Sequence, residues 1–253
     1  MPSANEPTID CRELSKHFHD RKRGLVRAVD GISFQARAGE VFGLLGINGA
    51  GKTTTLRLLA TLLRPSGGDA RVAGFSINER PAAVRANIGF LTMSTGLYGR
   101  LTVREMIEYF GRLHGLERER LARRTEELFE RFDIASFAGR RCDKLSSGMK
   151  QKVSIVRCVL HDPAVMILDE PTASLDVLAA RNIVEFIADS RSRGKCVLLS
   201  THSMAEAEKL CDRVGVIHRG RLLACDGIAA LRGSSPSGRL EDAFVKLVEE
   251  RAS

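Results

Sequence analysis

Hydrophobic positions along the chain follow two rhythms. Val165-Met166-Ile167-Leu168, Cys196-Val197-Leu198-Leu199 and Val214-Gly215-Val216-Ile217 are short apolar runs with almost no polar interruption. Runs of that length suit strands buried on both faces. Glu40-Val41-Phe42-Gly43-Leu44-Leu45 and Ile88 to Leu91 read the same way. Ile9 to Leu14 and Ile32 to Ala36 predict two more short strands, separated by the basic loop Asp20-Arg21-Lys22-Arg23-Gly24. Elsewhere the spacing turns helical. Lys52 to Leu63 predicts a helix stopped by Arg64-Pro65-Ser66-Gly67-Gly68. Thr102-Val103-Arg104-Glu105 is a capping box. Leu121, Leu128, Phe129 and Phe132 form the apolar stripe of a helix that is densely charged on its other side. Asp176 caps a predicted helix that closes near Gly194, and Ser203-Met204-Ala205-Glu206 caps the next.

Strands alternating with helices predict an α/β fold built on a mostly parallel sheet covered on both faces. The expected unit runs over residues 7–232, with a helical insertion at about 93–162. Gly233-Ser234-Ser235-Pro236-Ser237-Gly238 reads as a flexible link to a short terminal helix, Leu240 to Glu250, so that 233–253 stands apart. No internal repeat is visible.

Three strand ends carry the chemistry. After Leu45 comes Gly46-Ile47-Asn48-Gly49-Ala50-Gly51-Lys52-Thr53-Thr54, a glycine-rich loop between a strand and a helix. A backbone curled around phosphate with its N–H groups inward leaves no room for Cβ atoms. The helix N-terminus that follows favours an anion. Lys52 can reach β- and γ-phosphates, and the Thr53 hydroxyl can ligate Mg²⁺. The second end is Leu168-Asp169-Glu170. Strand alternation sends neighbouring side chains to opposite faces, so Asp169 is expected to hold Mg²⁺ and Glu170 to orient and deprotonate an attacking water. The third is Ser200-Thr201-His202-Ser203. His202 at the same edge is placed to donate to a γ-phosphate and to keep the water and Glu170 in register.

Composition changes this picture little. Six cysteines (Cys11, Cys142, Cys158, Cys196, Cys211, Cys225) show no C-x-x-C pair, which argues against a zinc site or a disulfide frame. A formal charge of +8, from 39 Lys and Arg against 31 Asp and Glu, permits nucleic acid, membrane surface or nucleotide phosphates as partners. The arginines are spread rather than clustered with aromatics and there is no Trp, which weakens a single-strand nucleic-acid reading; no nucleic-acid partner is expected. No run approaches the ~18 apolar residues of a membrane span, and the first ten residues lack a signal-peptide pattern. The expected location is cytoplasmic.

With these residues in place, the chain resembles the ABC ATPase family over nearly its whole length. The most diagnostic stretch is Leu145-Ser146-Ser147-Gly148-Met149-Lys150-Gln151, similar to the family's signature ahead of a helix. The resemblance implies a P-loop NTPase core with a small N-terminal antiparallel β subdomain and an inserted α-helical subdomain. It further implies that Ser146 and Gly148 reach ATP held by a second nucleotide-binding subunit, identical or not. Pro171-Thr172-Ala173-Ser174-Leu175-Asp176 looks like the family's D-loop. Phe18 falls where an aromatic stacks on adenine, with a core aromatic as the competing reading. ATP and Mg²⁺ are the implied cofactors. A membrane-embedded permease is the implied partner, which would hold the chain at the inner face of the cell membrane. Ser147 and Met149 depart from the commonest signature, and Ile47 replaces the usual Pro. Met93 stands where a glutamine would touch Mg²⁺, a role a thioether cannot fill by the same chemistry. Ser146 to Lys152, Ser94 to Thr102 and Leu210-Cys211-Asp212-Arg213 resemble the sodium-extrusion branch of the exporters, implying outward movement of Na⁺ or another solute. A soluble ABC ATPase acting on nucleic acid or the ribosome is the alternative. Such relatives usually carry two cassettes, coiled-coil arms or zinc inserts, and none is visible. A regulatory subunit without turnover is disfavoured by intact Lys52, Asp169, Glu170 and His202.

Overall fold

The computed structural model describes residues 6–22, 24–92, 96–173, 175, 177–235 and 237–250. The expectations placed on Met93 and Asp176 lie outside them. The first half of the chain forms β1 (Ile9–Asp20), β2 (Gly24–Ala36), β3 (Val41–Leu45), α1 (Lys52–Leu59), β4 (Gly67–Val72), β5 (Phe75–Ser76), α2 (Pro81–Asn87), β6 (Ile88–Leu91), α3 (Val103–Leu113) and α4 (Arg118–Arg131). The second half forms α5 (Ser147–Val159), β7 (Val165–Asp169), α6 (Val177–Ser192), β8 (Cys196–Thr201), α7 (Met204–Leu210), β9 (Arg213–His218), β10 (Arg221–Gly227), α8 (Ile228–Gly233) and α9 (Leu240–Glu250).

The strands make two sheets, β2-β1-β4-β5 and β10-β9-β3-β8-β7-β6. In the larger, β6, β7, β8, β3 and β9 run parallel and only β10 is antiparallel. Strand alternation divides the core into two layers. Phe42, Leu44, Val165, Ile167 and Leu198 face α1 and the smaller sheet. Val41, Leu45, Met166, Leu168, Val197 and Leu199 face the helical insertion, with Met106, Phe129, Phe132 and Val156. Each such side chain, wholly removed from water, contributes about 1.5–3 kcal/mol. The sheet is thereby clamped from both sides and its strand ends are held in fixed register.

Several boundaries differ from the sequence reading. β1 and β2 are 12 and 13 residues long rather than short, because the hairpin continues past its buried part as a largely exposed ribbon. Apolar patterning cannot register a ribbon with no buried face. α1 ends at Leu59, where Thr61 takes a positive φ of 59°. Gly67 and Gly68 open β4 instead of merely stopping a helix. A Cβ on Gly68 would lie 2.2 Å from the Glu13 carbonyl oxygen, so glycine is what lets β4 approach β1. The capping box at Thr102 forms as read: Glu105 N donates to Thr102 Oγ1 and Thr102 N to Glu105 Oε2.

The C-terminal segment is held against the domain. Leu240 and Phe244 of α9 join the core layer under the helical insertion. Within the stretch read as a flexible link, Gly238 N donates to Ser235 O and Arg232 Nε to Gly238 O. At the seam between insertion and core, the His114 and His161 rings stack 3.8 Å apart and nearly parallel. His161 Nε2 donates to Ile88 O at 3.0 Å. Burial, with His114 beside it, pushes the His161 pKa down to about 4. Among the described residues, no helix is long and apolar enough to cross a membrane.

Candidate active site

Sheet register brings the three strand ends together. Leu45 pairs with Thr201, and Asp169 pairs with Ser200. Gly46, Glu170 and His202 therefore leave β3, β7 and β8 at one edge, where open α/β sheets bind ligands.

The glycine loop is fixed by its own backbone: Gly46 N donates to Thr201 O, Ala50 N to Ile47 O, and Gly220 N to Ala50 O. Two of its glycines answer to the protein's own packing. A Cβ on Gly46 would lie 2.3 Å from Ile217 O, and one on Gly51, at φ 113°, would lie 2.4 Å from Ala28 O. Gly49, at φ 80°, has open space around it and serves the turn alone. Ala28, Asn48, Gly49, Ala50, Gly51, Lys52, Thr53, Thr54 and Glu170 line a hollow of about 160 Å³. Ile47 projects outward from the loop and is exposed.

Lys52 opens α1 and is only 5% exposed. Its Nζ donates to Gly46 O at 2.6 Å and Ile47 O at 3.2 Å, and lies 4.0 Å from Glu170 Oε1. Burial lowers its pKa below the ordinary lysine value, against the pull of Glu170 and Asp169. Thr53 Oγ1 donates to Asp169 Oδ1 at 3.1 Å, and Ser200 Oγ donates to the same oxygen at 2.6 Å. Glu170 N donates to Ser200 O, and His202 Nδ1 lies 3.0 Å from Glu170 Oε1.

The separation of the two carboxylates has a different cause from the one alternation suggests. β7 ends at Asp169, and Glu170 takes a left-handed φ of 48°, a conformation costly for a residue with a Cβ. The bend turns Glu170 back over Lys52. Observed strain at a residue facing this hollow fits a position selected for chemistry rather than for stability.

The remaining predicted residues lie around this centre. Phe18 is 40% exposed on β1, with Lys16 Nζ over its ring, which removes the core-aromatic reading. Its cross-strand partner Val26 is two residues from Ala28, which lines the hollow. Ser146 is the exposed N-cap of α5, accepting from Met149 N. Its hydroxyl proton stays free to donate. Ser146 and Gly148 are not among the residues lining their own chain's hollow.

Ser200 was not expected at the site. It is fully buried, donates to Asp169 and accepts from Glu170 N through Oγ as well. A polar residue ending the apolar run Val197-Leu198-Leu199 was the available signal. Thr172, Thr201 and Glu206 form a second network beside it.

A family model described as ABC transporter matches residues 29–173. ABC transporter ATP-binding protein NatA of Bacillus subtilis is 42% identical over 242 residues, covering 95% of this chain and 98% of that protein. Nod factor export ATP-binding protein I of Paraburkholderia xenovorans is 42% identical over 229 residues, covering 90% of this chain and 74% of that protein. A solved structure described as the ATP binding subunit of an ABC transporter superposes with a TM-score of 0.87 at 29% identity, over 95% of this chain and 99% of the other. A glycine loop, two carboxylates and a histidine at one sheet edge, in a chain with these relatives, have one common explanation. The chain belongs to the ABC transporter family, as one of its ATP-binding, ATP-hydrolysing subunits.

Proposed function

We propose that the chain powers outward transport through a separate membrane-embedded permease, and that two nucleotide-binding subunits close on ATP to do so. The observation that carries the hydrolytic half is the cluster of Lys52, Glu170 and His202, three groups from three strand ends within 4.0 Å of their neighbours. Lys52 holds the β- and γ-phosphates. Glu170 orients the attacking water and takes its proton as ADP and phosphate form. His202 keeps Glu170 aimed and donates toward the γ-phosphate. Thr53, Thr54 and the loop N–H groups from Ile47 to Gly51 position the phosphate chain, while Phe18 stacks on adenine.

Thr53 Oγ1 and Asp169 Oδ1 converge to 3.1 Å as an oxygen-only donor pair, which fits Mg²⁺. Bound there, Mg²⁺ supplies charge neutralisation at the phosphate oxygens. Met93 is assigned no part in holding it.

Ser146 and Gly148 stand away from their own chain's hollow, and this supports a composite site in which they complete the nucleotide pocket of the opposing subunit. The resemblance assigns Asp176 to the same nucleotide-binding set. ATP favours the closed pair because only closure adds the second set of donors, and hydrolysis removes the preference. The chain then works at the inner membrane face through its permease. The resemblance to sodium-extrusion subunits makes Na⁺ the first solute to assay.

The test is to isolate the chain from its native membrane, identify the multi-spanning protein that accompanies it, and place both in inverted vesicles. ATP-driven Na⁺ accumulation is the expected result. Accumulation of another solute would replace the cargo assignment, and no ATP-dependent flux with any solute tested would overturn the transport reading.

A further inference from the structure

Beside the hydrolytic cluster lies a network built by residues outside the phosphate loop and the two carboxylates. Thr172 Oγ1 donates to Glu206 Oε1 at 2.5 Å, and Thr201 Oγ1 donates to Glu206 Oε2. Glu206 is anchored in turn as the third residue of α7, whose cap Ser203 accepts from Glu206 N, while Ser203 N donates to Thr201 Oγ1. Thr201 is buried, and Glu206 and Thr172 are half-buried, so this is a partly desolvated carboxylate with a neutral donor on each oxygen. Charge-assisted bonds of that kind are roughly twice as strong as neutral ones.

The connectivity gives the network its meaning. Thr201 precedes His202, and Thr172 follows Glu170 by two residues. The path Glu170–Pro171–Thr172–Glu206–Thr201–His202 therefore closes on itself through the contact between His202 Nδ1 and Glu170 Oε1. Across the same loop, Gln151 Nε2 on α5 donates to Pro171 O at 3.2 Å. The turn after Glu170 is thus held from α7 on one side and from α5 on the other. Glu170 needs such bracing, because its positive φ is a conformation a free loop would leave.

We propose that Glu206 is a positioning residue for hydrolysis: its carboxylate ties the segment after Glu170 to the strand end bearing His202, and so fixes the distance between the two. It touches no phosphate. The proposal rests on the assignment of Glu170 and His202 as the hydrolytic pair. A loss confined to turnover is expected, since the phosphate loop meets this strand end through the Thr201 backbone carbonyl, whereas Glu206 holds only the Thr201 hydroxyl.

The experiment measures steady-state ATP hydrolysis of the purified full-length chain, with ATP affinity read in parallel and folding checked by circular dichroism. Glu206→Ala and Thr172→Val should each lower kcat by about 10- to 100-fold, the scale of an ångström-level misplacement, with KM for ATP unchanged within about twofold. Thr172→Ser should restore most of what Thr172→Val loses. Because the two residues share one bond, the double variant should lose no more than the worse single variant. Should Glu206→Ala fold poorly, the Thr172 pair decides alone. Near-normal kcat in folded Glu206→Ala or Thr172→Val, or multiplicative losses in the double variant, would overturn the proposal. Glu170→Gln run alongside separates the two layers. If it too retains turnover, the hydrolytic assignment fails; if it is inactive while Glu206→Ala is normal, only the positioning role fails.

Discussion

Replacing Lys52 by Ala removes a cation that is buried before any nucleotide is considered. Its Nζ makes two bonds to loop carbonyls and sits 4.0 Å from Glu170. The desolvation cost of the ammonium is therefore already met in the folded chain, and phosphate contacts count nearly in full. Each charge-assisted bond to phosphate contributes about 1.5–3 kcal/mol, so two of them amount to about 3–6 kcal/mol. The Coulomb scale agrees: opposite charges ~4 Å apart at an effective dielectric of about 20 interact by about 4 kcal/mol. Lys52→Ala should weaken ATP binding by about 10²–10⁴-fold. Isothermal titration with a slowly hydrolysed ATP analogue reads this directly, with a melting curve to verify folding. A pH series adds a second readout. Because burial lowers the Lys52 pKa, its charge, and ATP affinity with it, should begin to fall before the ordinary lysine range is reached as pH rises. The variant should lack that alkaline limb. An affinity loss under about tenfold would show that the loop N–H groups, not Lys52, dominate phosphate binding.

Two further outcomes follow from other contacts. Asp169→Asn keeps the shape but removes the charge beside Thr53 and Ser200. It should raise the Mg²⁺ concentration for half-maximal ATPase activity by about tenfold or more, and an unchanged Mg²⁺ titration would remove Asp169 as a ligand. His161 concerns stability. Its pKa falls from the usual ~6.5 in the unfolded chain to about 4 in the folded one, so folding opposes its protonation. Its contribution is present above about pH 6.5 and lost as pH drops toward 4, by at most about 3 kcal/mol. The neighbours Asp162 and Lys195 act on it in opposite directions. In urea melts between pH 7 and 4.5, wild type should lose stability on acidification more steeply than His161→Phe, and equal slopes would contradict the buried-neutral assignment.

The parts of the site legible in the sequence are those encoded locally. Gly46 to Thr53 carries its strand, loop and helix start in one stretch, and Val165 to Glu170 carries both the buried strand and the carboxylates. The signature at Ser146 is a helix cap and reads as one. What the sequence withheld depends on distant partners. Ser200 meets Asp169 across 31 positions and Thr172 meets Glu206 across 34. Periodicity carries no term for such pairs. The reason for glycine at 46 and 51 was only half visible, since Ile217 and Ala28 supply the obstruction. The full length of β1 is not legible in the sequence because Lys16, His17 and His19 carry no apolar stripe. The terminal helix was expected to stand apart, yet Leu240 and Phe244 are buried in the main core. An 11-residue helix with Leu240, Ala243, Phe244, Leu247 and Val248 at helical spacing needs a surface to cover them.

The central claim is that Glu170 drives hydrolysis inside a site completed by a second subunit. Glu170→Gln tests it most directly, because the amide keeps the shape and the contact toward His202 but cannot take a proton. Light scattering and ATP turnover, measured on the same purified variant with Mg²⁺ and ATP, give both halves of the answer. The account predicts turnover reduced by about 10²-fold or more, together with a stable ATP-bound dimer that dissociates when ATP is removed. Turnover close to wild type, or a variant that stays monomeric at saturating ATP, would contradict it.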